Sequence, residues 1–536
     1  MNTSKIADSL KLTAQLQELH GVNPFKIKAL ANAAYRLDKT DINLEGKLPE
    51  ELSTIEGIGK GIAAKIYELQ TTGKLKELED VLAITPAGVI EMLRIKGIGP
   101  KKVGQLWREL EVESPGELLY ACTENRLIDL KGFGEKTQAA VKKFIEFSME
   151  NKGKFHYASC EETALRLVAF LKKQTGSELI SLSGNIRRKT IIIEGIEIVA
   201  AVDEKMIKLD TFENPRHIPV HVHTCSEDEF YSVVFRTTAS AAHLKQLDTL
   251  SYRGEENPES EEDIYAGYEL DYIEPELREG LGEIMLAQNS KLPKLIEESD
   301  LKGILHNHSK YSDGMHTLEQ MADRCRELGY SYFGICDHSQ SAFYASGLKP
   351  DRVIAQQLEI DALNKKMAPF RIFKGIESDI LNDGSLDYTD EILKTFDFVV
   401  ASVHSNLKMD KEKATVRLLK AIENPFTTIL GHPTGRLLLS REGYPIDHKK
   451  IIDACAANRV AIELNAHPYR LDIDWTWIPY CMEKGVLISI NPDAHETERL
   501  KDLHWGTIAA RKGMLTKEFC LNAMTTEEIE KWFGSK

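Results

Sequence analysis

Six short apolar runs punctuate the C-terminal part of the chain: Gly303–Leu305, Tyr332–Cys336, Phe398–Ser402, Thr428–Leu430, Ala461–Leu464 and Leu487–Ile490. Runs this short, bounded by turn residues, read as buried strands, because a helix needs more length to hide a face. Amphipathic helical patterns separate them, and a helix between two strands makes those strands parallel. Repeated β/α units of this kind predict a closed or nearly closed barrel, with functional side chains gathered at the carboxyl ends of its strands.

The side chains at those ends are of one chemical kind. In order they are His306 and His308 in LHNHSKYSDG, Asp313 in the same segment, His338 in ICDHS, Glu377 in KGIESD, His404 in SVHS, His432 in LGHPTGR, and Asp493 with His495 in NPDAH. Each follows an apolar strand or lies in the loop just after it. Imidazole and carboxylate together suit borderline divalent ions. Nine such ligands are too many for one ion and fit two or three, with a bridging carboxylate as in two-metal phosphoryl-transfer sites. A satisfied core histidine explains one of them, not the whole set.

Residues 1–150 read as nearly all helix, with three similar glycine turns: Ile55–Lys60, Ile95–Pro100 and Leu130–Glu135. A Gly-x-Gly turn lets another backbone approach, and the amides at the start of the next helix face a phosphate. This is a sequence-independent grip on a DNA backbone. Gly57, Gly59, Lys60, Gly97, Gly99, Lys101 and Lys102 are the candidate DNA contacts. Gly132 and Gly134 join them, although the third turn serves equally as a plain helix-packing turn. The net charge of −15 opposes a simple basic nucleic-acid binder. Residues 1–150 nevertheless carry 21 Lys/Arg against 22 Asp/Glu, so the acidic excess lies downstream, where metal sites need carboxylates. Eight Cys without a C-x-x-C pair predict reduced thiols and a cytoplasmic protein, which DNA binding would make nucleoid-associated. No apolar stretch approaches the roughly 20 residues of a membrane span.

The motifs HNHSKYSDG, DH, GIESDI, SVHS, GHPTGR and NPDAH resemble those of the PHP (polymerase and histidinol phosphatase) family over residues 300–536. The resemblance implies a distorted (β/α)7 barrel holding three divalent metals, zinc or manganese and possibly iron. Carried over by motif, His306, His308, Glu377 and Asp493 would hold one metal. Glu377, His404 and His432 would hold the second, and Asp313, His338 and His495 the third. Glu377 and Asp493 would be catalytic, with Arg436 as a phosphate clamp or a surface salt bridge. Glu463 and Asp337 would orient ligating imidazoles.

Upstream, NPFKIKA and GIGKGIAAKIYELQTTGKLKELE resemble the N-terminal domain of family-X DNA polymerases. Lys65 falls where related repair polymerases keep a Schiff-base lysine, but Gly61 stands where a neighbouring Lys would assist it. A solvated helix-face lysine is the preferred reading. Ser183–Arg188 resembles the opening of the family-X palm. The acid positions that follow, which in the family hold magnesium, read Gly195, Glu197 and His221, so a magnesium-dependent polymerase site is not expected. The predicted organisation is therefore multidomain α/β. It comprises an N-terminal helix-hairpin-helix domain (1–90), a fingers-like helical region (91–150), an α+β degenerate palm (151–250), a thumb remnant or linker (251–300) and the phosphoesterase barrel (301–536). The expected function is metal-dependent hydrolysis of DNA phosphodiesters at gaps, nicks or 3′ ends, as a 3′–5′ exonuclease or abasic-site endonuclease. The alternatives are an active gap-filling polymerase with a proofreading barrel and a small-molecule phosphatase.

Overall fold

Apolar residues spaced three and four apart line facing helices in the N-terminal part. Ile6, Leu10 and Ala14 of helix Thr3–Leu19 bury against Leu30, Ala33 and Leu37 of helix Pro24–Lys39. The computed structural model describes residues 3–39, 44, 46–95, 97–128, 130–150 and 153–535. Lys96, in the second glycine turn, lies outside them. The chain divides into two units, Met1–Glu146 and Phe147–Lys536. No helix of the described residues is long and apolar enough to cross a membrane.

In the first unit the three glycine turns share one conformation. Gly57, Gly97 and Gly132 take φ of +84°, +98° and +86°, where an L side chain would be strained. Gly59 and Gly99 cap helices Lys60–Thr72 and Pro100–Leu110, and Gly134 directly precedes helix Glu135–Glu150.

The second unit opens with strand pair β1 (Phe155–His156) and β3 (Ile192–Ile193). A three-stranded sheet follows: β2 (Ile180–Ser183), β4 (Ile196–Ala200) and β5 (Val220–Thr224), in the order β2-β4-β5. Residues 251–300 contain the short helices expected, and they enclose an apolar cluster with a fully buried Arg278. That guanidinium is tolerated because Glu261 accepts from it at 2.5 Å and the Ile273 carbonyl at 2.9 Å.

The barrel comprises β6 (Gly303–Ile304), β7 (Tyr332–Ile335), β8 (Arg371–Asp379), β9 (Phe398–Ser402), β10 (Ile429–Leu430), β11 (Ala461–Asn465) and β12 (Ile488–Asn491), seven neighbours in sequence order and all parallel. Among the described residues its first and last ends are joined by an isolated bridge, Asn307 to Ala494, rather than by a strand ladder, so closure is incomplete. Side chains alternate between two cores. Tyr332, Phe373, Phe398 and Ile429 form one with the C-terminal helix Thr526–Phe533, whose Phe533 stacks on Phe398 at 5.0 Å. Phe333, Ile372, Val399 and Leu430 face the surrounding helices. Glycines 334 and 375 make room for the Phe398 ring, which a Cβ at either would approach within 2.7 and 2.5 Å. Strand β8 was not among the apolar runs, since Arg371 and Lys374 interrupt it; both point to partners outside, Glu530 at 3.2 Å and Asp361 at 2.7 Å.

Ion pairs join the palm-like sheet region to the barrel. His504 contacts Glu161 at 2.9 Å and also Glu298. Hydrogen bonds to Glu161 and then Glu298 raise its pKa to about 9. A raised imidazole pKa stabilises the folded state fully below the ordinary value of 6.5, and the contribution is lost as pH rises through about 9. His504→Gln is therefore expected to lower the melting temperature by a few °C at most near pH 6, because the pair is partly solvated. The gap between wild type and variant should close above pH 9, and a gap that ignores pH would refute this.

Candidate metal centre

Each barrel strand delivers at least one polar group to the carboxyl-end face. His306 and His308 follow β6, His338 follows β7, and Glu377 lies within β8 rather than after it. His404 follows β9, His432 follows β10, Glu463 lies in β11, and Asp493 with His495 follows β12. Three of them, His306, His432 and Asp493, hold positive φ of 56°, 21° and 53°. Such strain persists where surrounding structure enforces it, commonly at functional sites.

Glu377 is the hub. Its carboxylate lies 3.3 Å from His306, 3.7 Å from His308, 2.9 Å from His338, 3.1 Å from His404 and 3.0 Å from His432. Its own side chain is 1% exposed. Asp493 approaches His308 at 2.9 Å and His306 at 3.6 Å. Asp313 lies 3.2 Å from His495 and 3.6 Å from His338. Among the described residues of the barrel, three groups could each surround an ion: His308, Asp313, His338 and His495; His306, His308 and Asp493; and His338, Glu377 and His404. The grouping differs from that implied by the motifs. His308 joins the Asp313 set, and His338 sits beside His404 on Glu377, because its Nδ1 faces Glu377 while its Nε2 faces Asp313.

The donor set fits a metal. Nε2 of His306, Nδ1 of His308, both ring nitrogens of His338 and Oε2 of Glu377 are buried and form no hydrogen bond of ordinary geometry. Buried polar atoms are rarely left so, and a cation satisfies a cluster of acceptors at once. Burial, then His495 and His338, push His308 down to about 3, leaving the neutral imidazole a metal requires. Burial alone would raise Glu377, yet His404, His306 and His338 hold it well below the usual carboxylate range.

Outer partners fix the rings. Glu463 accepts from His306 Nδ1 at 2.6 Å and from the His432 amide at 2.7 Å, as an orienting carboxylate should. Asp337 does not orient an imidazole. It accepts from the Ser309 amide (2.8 Å), the Ser312 amide (3.1 Å) and Gln356 (2.6 Å), so it shapes the loop between His308 and Asp313. The carboxylate that sequence reasoning missed is Asp379, which holds His404 Nδ1. Its position two residues after Glu377, on the same face of β8, was the available signal. Glu463→Ala is expected to weaken metal affinity roughly 10–100-fold, measured by chelator competition, as outer-partner losses do. Unchanged affinity would mean His306 needs no help.

Arg436 pairs with Asp474, the salt bridge named beside the phosphate clamp as its alternative, though a part-buried one. It is half-buried and donates to the Arg470 carbonyl at 2.9 Å, to Asp474 at 2.5 Å and to the Leu471 carbonyl, anchoring the loop after β11.

In the palm-like sheet, Glu197 of β4 stands opposite His221 of β5 and Ser183 of β2. Gly195 lies in the bend before β4, beside exposed Glu194. The carboxylate of Glu197 is 3.6 Å from His223. Arg187 is held by Glu261, and Arg188 donates to Glu279 at 3.2 Å.

In the N-terminal unit, no atom within 4 Å would meet a Cβ at Gly59, Gly97, Gly99, Gly132 or Gly134, so these turns are open. Gly57 is the exception, backed by Arg36 at 2.8 Å. Lys60 and Lys101 are exposed, and the Lys102 ammonium sits 4.8 Å over the Phe133 ring. Lys65 is not a solvated helix-face residue. Helix Lys76–Ala83 brings Glu77 onto it, and the pair is half-buried.

Three family models match the chain: a helix-hairpin-helix domain over residues 1–75, a SAM-like helix-hairpin-helix tandem over residues 89–145, and a PHP domain over residues 305–467. The DNA polymerase/3′-5′ exonuclease PolX of Bacillus subtilis is 33% identical across 99% of both chains. A probable phosphatase of Caldanaerobacter subterraneus subsp. tengcongensis is 27% identical over 214 residues, 36% of this chain and 77% of that one. A probable phosphatase of Acetivibrio thermocellus is 29% identical over 202 residues, 35% of this chain and 78% of that one. Barrel, buried ligand nest and family match together define a metal-dependent phosphoesterase of the PHP type. The helix-hairpin-helix segments add DNA binding to that class. The chain belongs to the PolX family.

Proposed function

We propose that this protein removes nucleotides from DNA 3′ ends by metal-dependent phosphodiester hydrolysis, and that its palm positions DNA without polymerising it. One observation carries the reading: a single buried carboxylate, Glu377, within 3.7 Å of five imidazoles at the barrel mouth. Residues His306, His308, Asp313, His338, Glu377, His404, His432, Asp493 and His495 would hold up to three divalent cations, zinc, manganese or iron. Such cations supply Lewis acidity to a phosphate and activate water near neutral pH. The chain's own contribution is positional. Glu463 and Asp379 hold His306 and His404 through Nδ1, which turns each Nε2 toward Glu377. Burial keeps His308 neutral. The open glycine turns grip backbone phosphates through amides, which suits gapped or nicked duplex of any sequence.

The test uses purified protein, Mn²⁺ and a 5′-labelled primer annealed across a short gap, beside a His308→Ala variant. The primer should shorten with wild type and persist with the variant. Cutting only at an abasic site would replace the exonuclease by an endonuclease. The probable-phosphatase relatives favour a second reading, a phosphatase of small molecules, and turnover of a free phosphomonoester with DNA left intact would establish it.

A further inference from the structure

Residues 339–348, between β7 and helix Pro350–Met367, form a loop fastened at both ends. Ser339 and Leu348 bridge, and the Leu348 amide donates to the His338 carbonyl at 2.8 Å. The Gly347 amide donates to the Ala342 carbonyl at 3.1 Å, and a Cβ at Gly347 would lie 1.9 Å from the Ser339 carbonyl oxygen. The loop is also bolted to the ligand nest. Ser341 Oγ donates at 2.7 Å to Asp379, the carboxylate that holds His404, and the Ser341 amide donates at 2.7 Å to Asp387.

At the tip, the turn Phe343–Ala345 sends two neighbouring aromatic rings to different environments. Tyr344 meets His338 and His404 edge-on, with centroids at 6.1 and 6.4 Å. Phe343 is 87% exposed, the most exposed large apolar side chain among the described residues. A lone surface hydrophobe is ordinary and usually needs no explanation. This one stands on a fixed loop, one residue from a ring that flanks two candidate metal ligands.

We infer that Phe343 is a stacking platform for a nucleobase of the DNA strand whose phosphate enters the nest. The inference rests on the DNA-end reading above and names the part of the substrate that the metal site itself does not touch. Every base offers a π-face, so stacking tolerates any sequence. That matches the backbone grip of the glycine turns, which also reads no sequence. The phosphate would meet the nest, while the attached base would lie on Phe343 outside it. A ligand without a base gains nothing from this ring.

The experiment compares two 5′-labelled primers, one with normal nucleotides and one whose last two nucleotides are abasic analogues. Wild type, Phe343→Ala and Phe343→Trp are assayed with Mn²⁺, each checked for an unchanged melting temperature. The ratio of kcat/KM between base-bearing and base-free ends should fall about tenfold in Phe343→Ala, chiefly through KM, and return in Phe343→Trp. If wild type shortens both primers and Phe343→Ala keeps the wild-type ratio, Phe343 does not stack and only this inference fails. If wild type shortens neither primer yet hydrolyses a free phosphomonoester, the DNA-end reading fails and takes this inference with it.

Discussion

Glu377→Gln is expected to lower phosphodiester hydrolysis by on the order of a thousandfold or more, the largest single-residue effect in the molecule. The substitution keeps the shape and removes one charge. That charge is shared among five imidazoles, so its loss is felt at every candidate ion position around β8. His432→Ala supplies the contrast, because among the described residues its ring meets one carboxylate, Glu377, at 3.0 Å. It should cost about 10–100-fold, closer to the loss of one orienting partner. Bound metal counted by elemental analysis should fall with activity in Glu377→Gln, while the melting profile reports whether the barrel survives. If Glu377→Gln kept wild-type turnover, the nest would be a structural ion site and the chemistry would lie elsewhere.

The barrel was legible in the sequence wherever a strand is purely apolar. Runs such as Phe398–Ser402 have no alternative to burial, and most of them precede one of the candidate ligands. Strand β8 was not legible as a strand, because Arg371 and Lys374 carry their charges out to Glu530 and Asp361 across the fold. Glu377 was still singled out, from its motif, and it lies in the buried cluster. Orienting partners were harder. Glu463 was found, but Asp337 was named for a role that Asp379, unnamed, fills. Nothing local in ICDHS shows that Asp337 reaches back to Ser309 and Ser312, or that His404 arrives beside Asp379 from another strand. The partners of Arg436 and Lys65 were hidden for the same reason: a cation's role depends on which distant acceptor the fold brings to it, Asp474 in one case and Glu77 in the other. Glu197 and His221, picked out by counting along the sequence, stand opposite one another on β4 and β5.

With Mg²⁺ and dNTPs, the protein is expected to add no nucleotide to a gapped primer, and a Gly195→Asp/Glu197→Asp/His221→Asp variant is expected not to recover the activity. Hard, octahedral Mg²⁺ takes oxygen ligands. The matching positions offer a glycine, one carboxylate beside His223 and one imidazole. Rebuilding the acids meets two obstacles in the fold. A Cβ at Gly195 would come within 2.9 Å of the Pro219 carbonyl oxygen, which already accepts the Ile196 amide at 2.8 Å. Crowding that contact should cost about 1–3 kcal/mol and move β4 against β5, the two strands that must align the acids. An error of about 1 Å there is enough to cost a hundredfold in rate. The cations beside the site are also committed, Arg187 to Glu261 and Arg188 to Glu279, so a triphosphate must compete with carboxylates already in place. Primer extension by wild type would show that Glu197 suffices and that the palm is an active site. Extension by the triple variant alone would show that the acids were the only element missing, with Pro219 and the arginines free to adjust. No extension by either is the expected result, with Gly195 and the committed arginines as its cause.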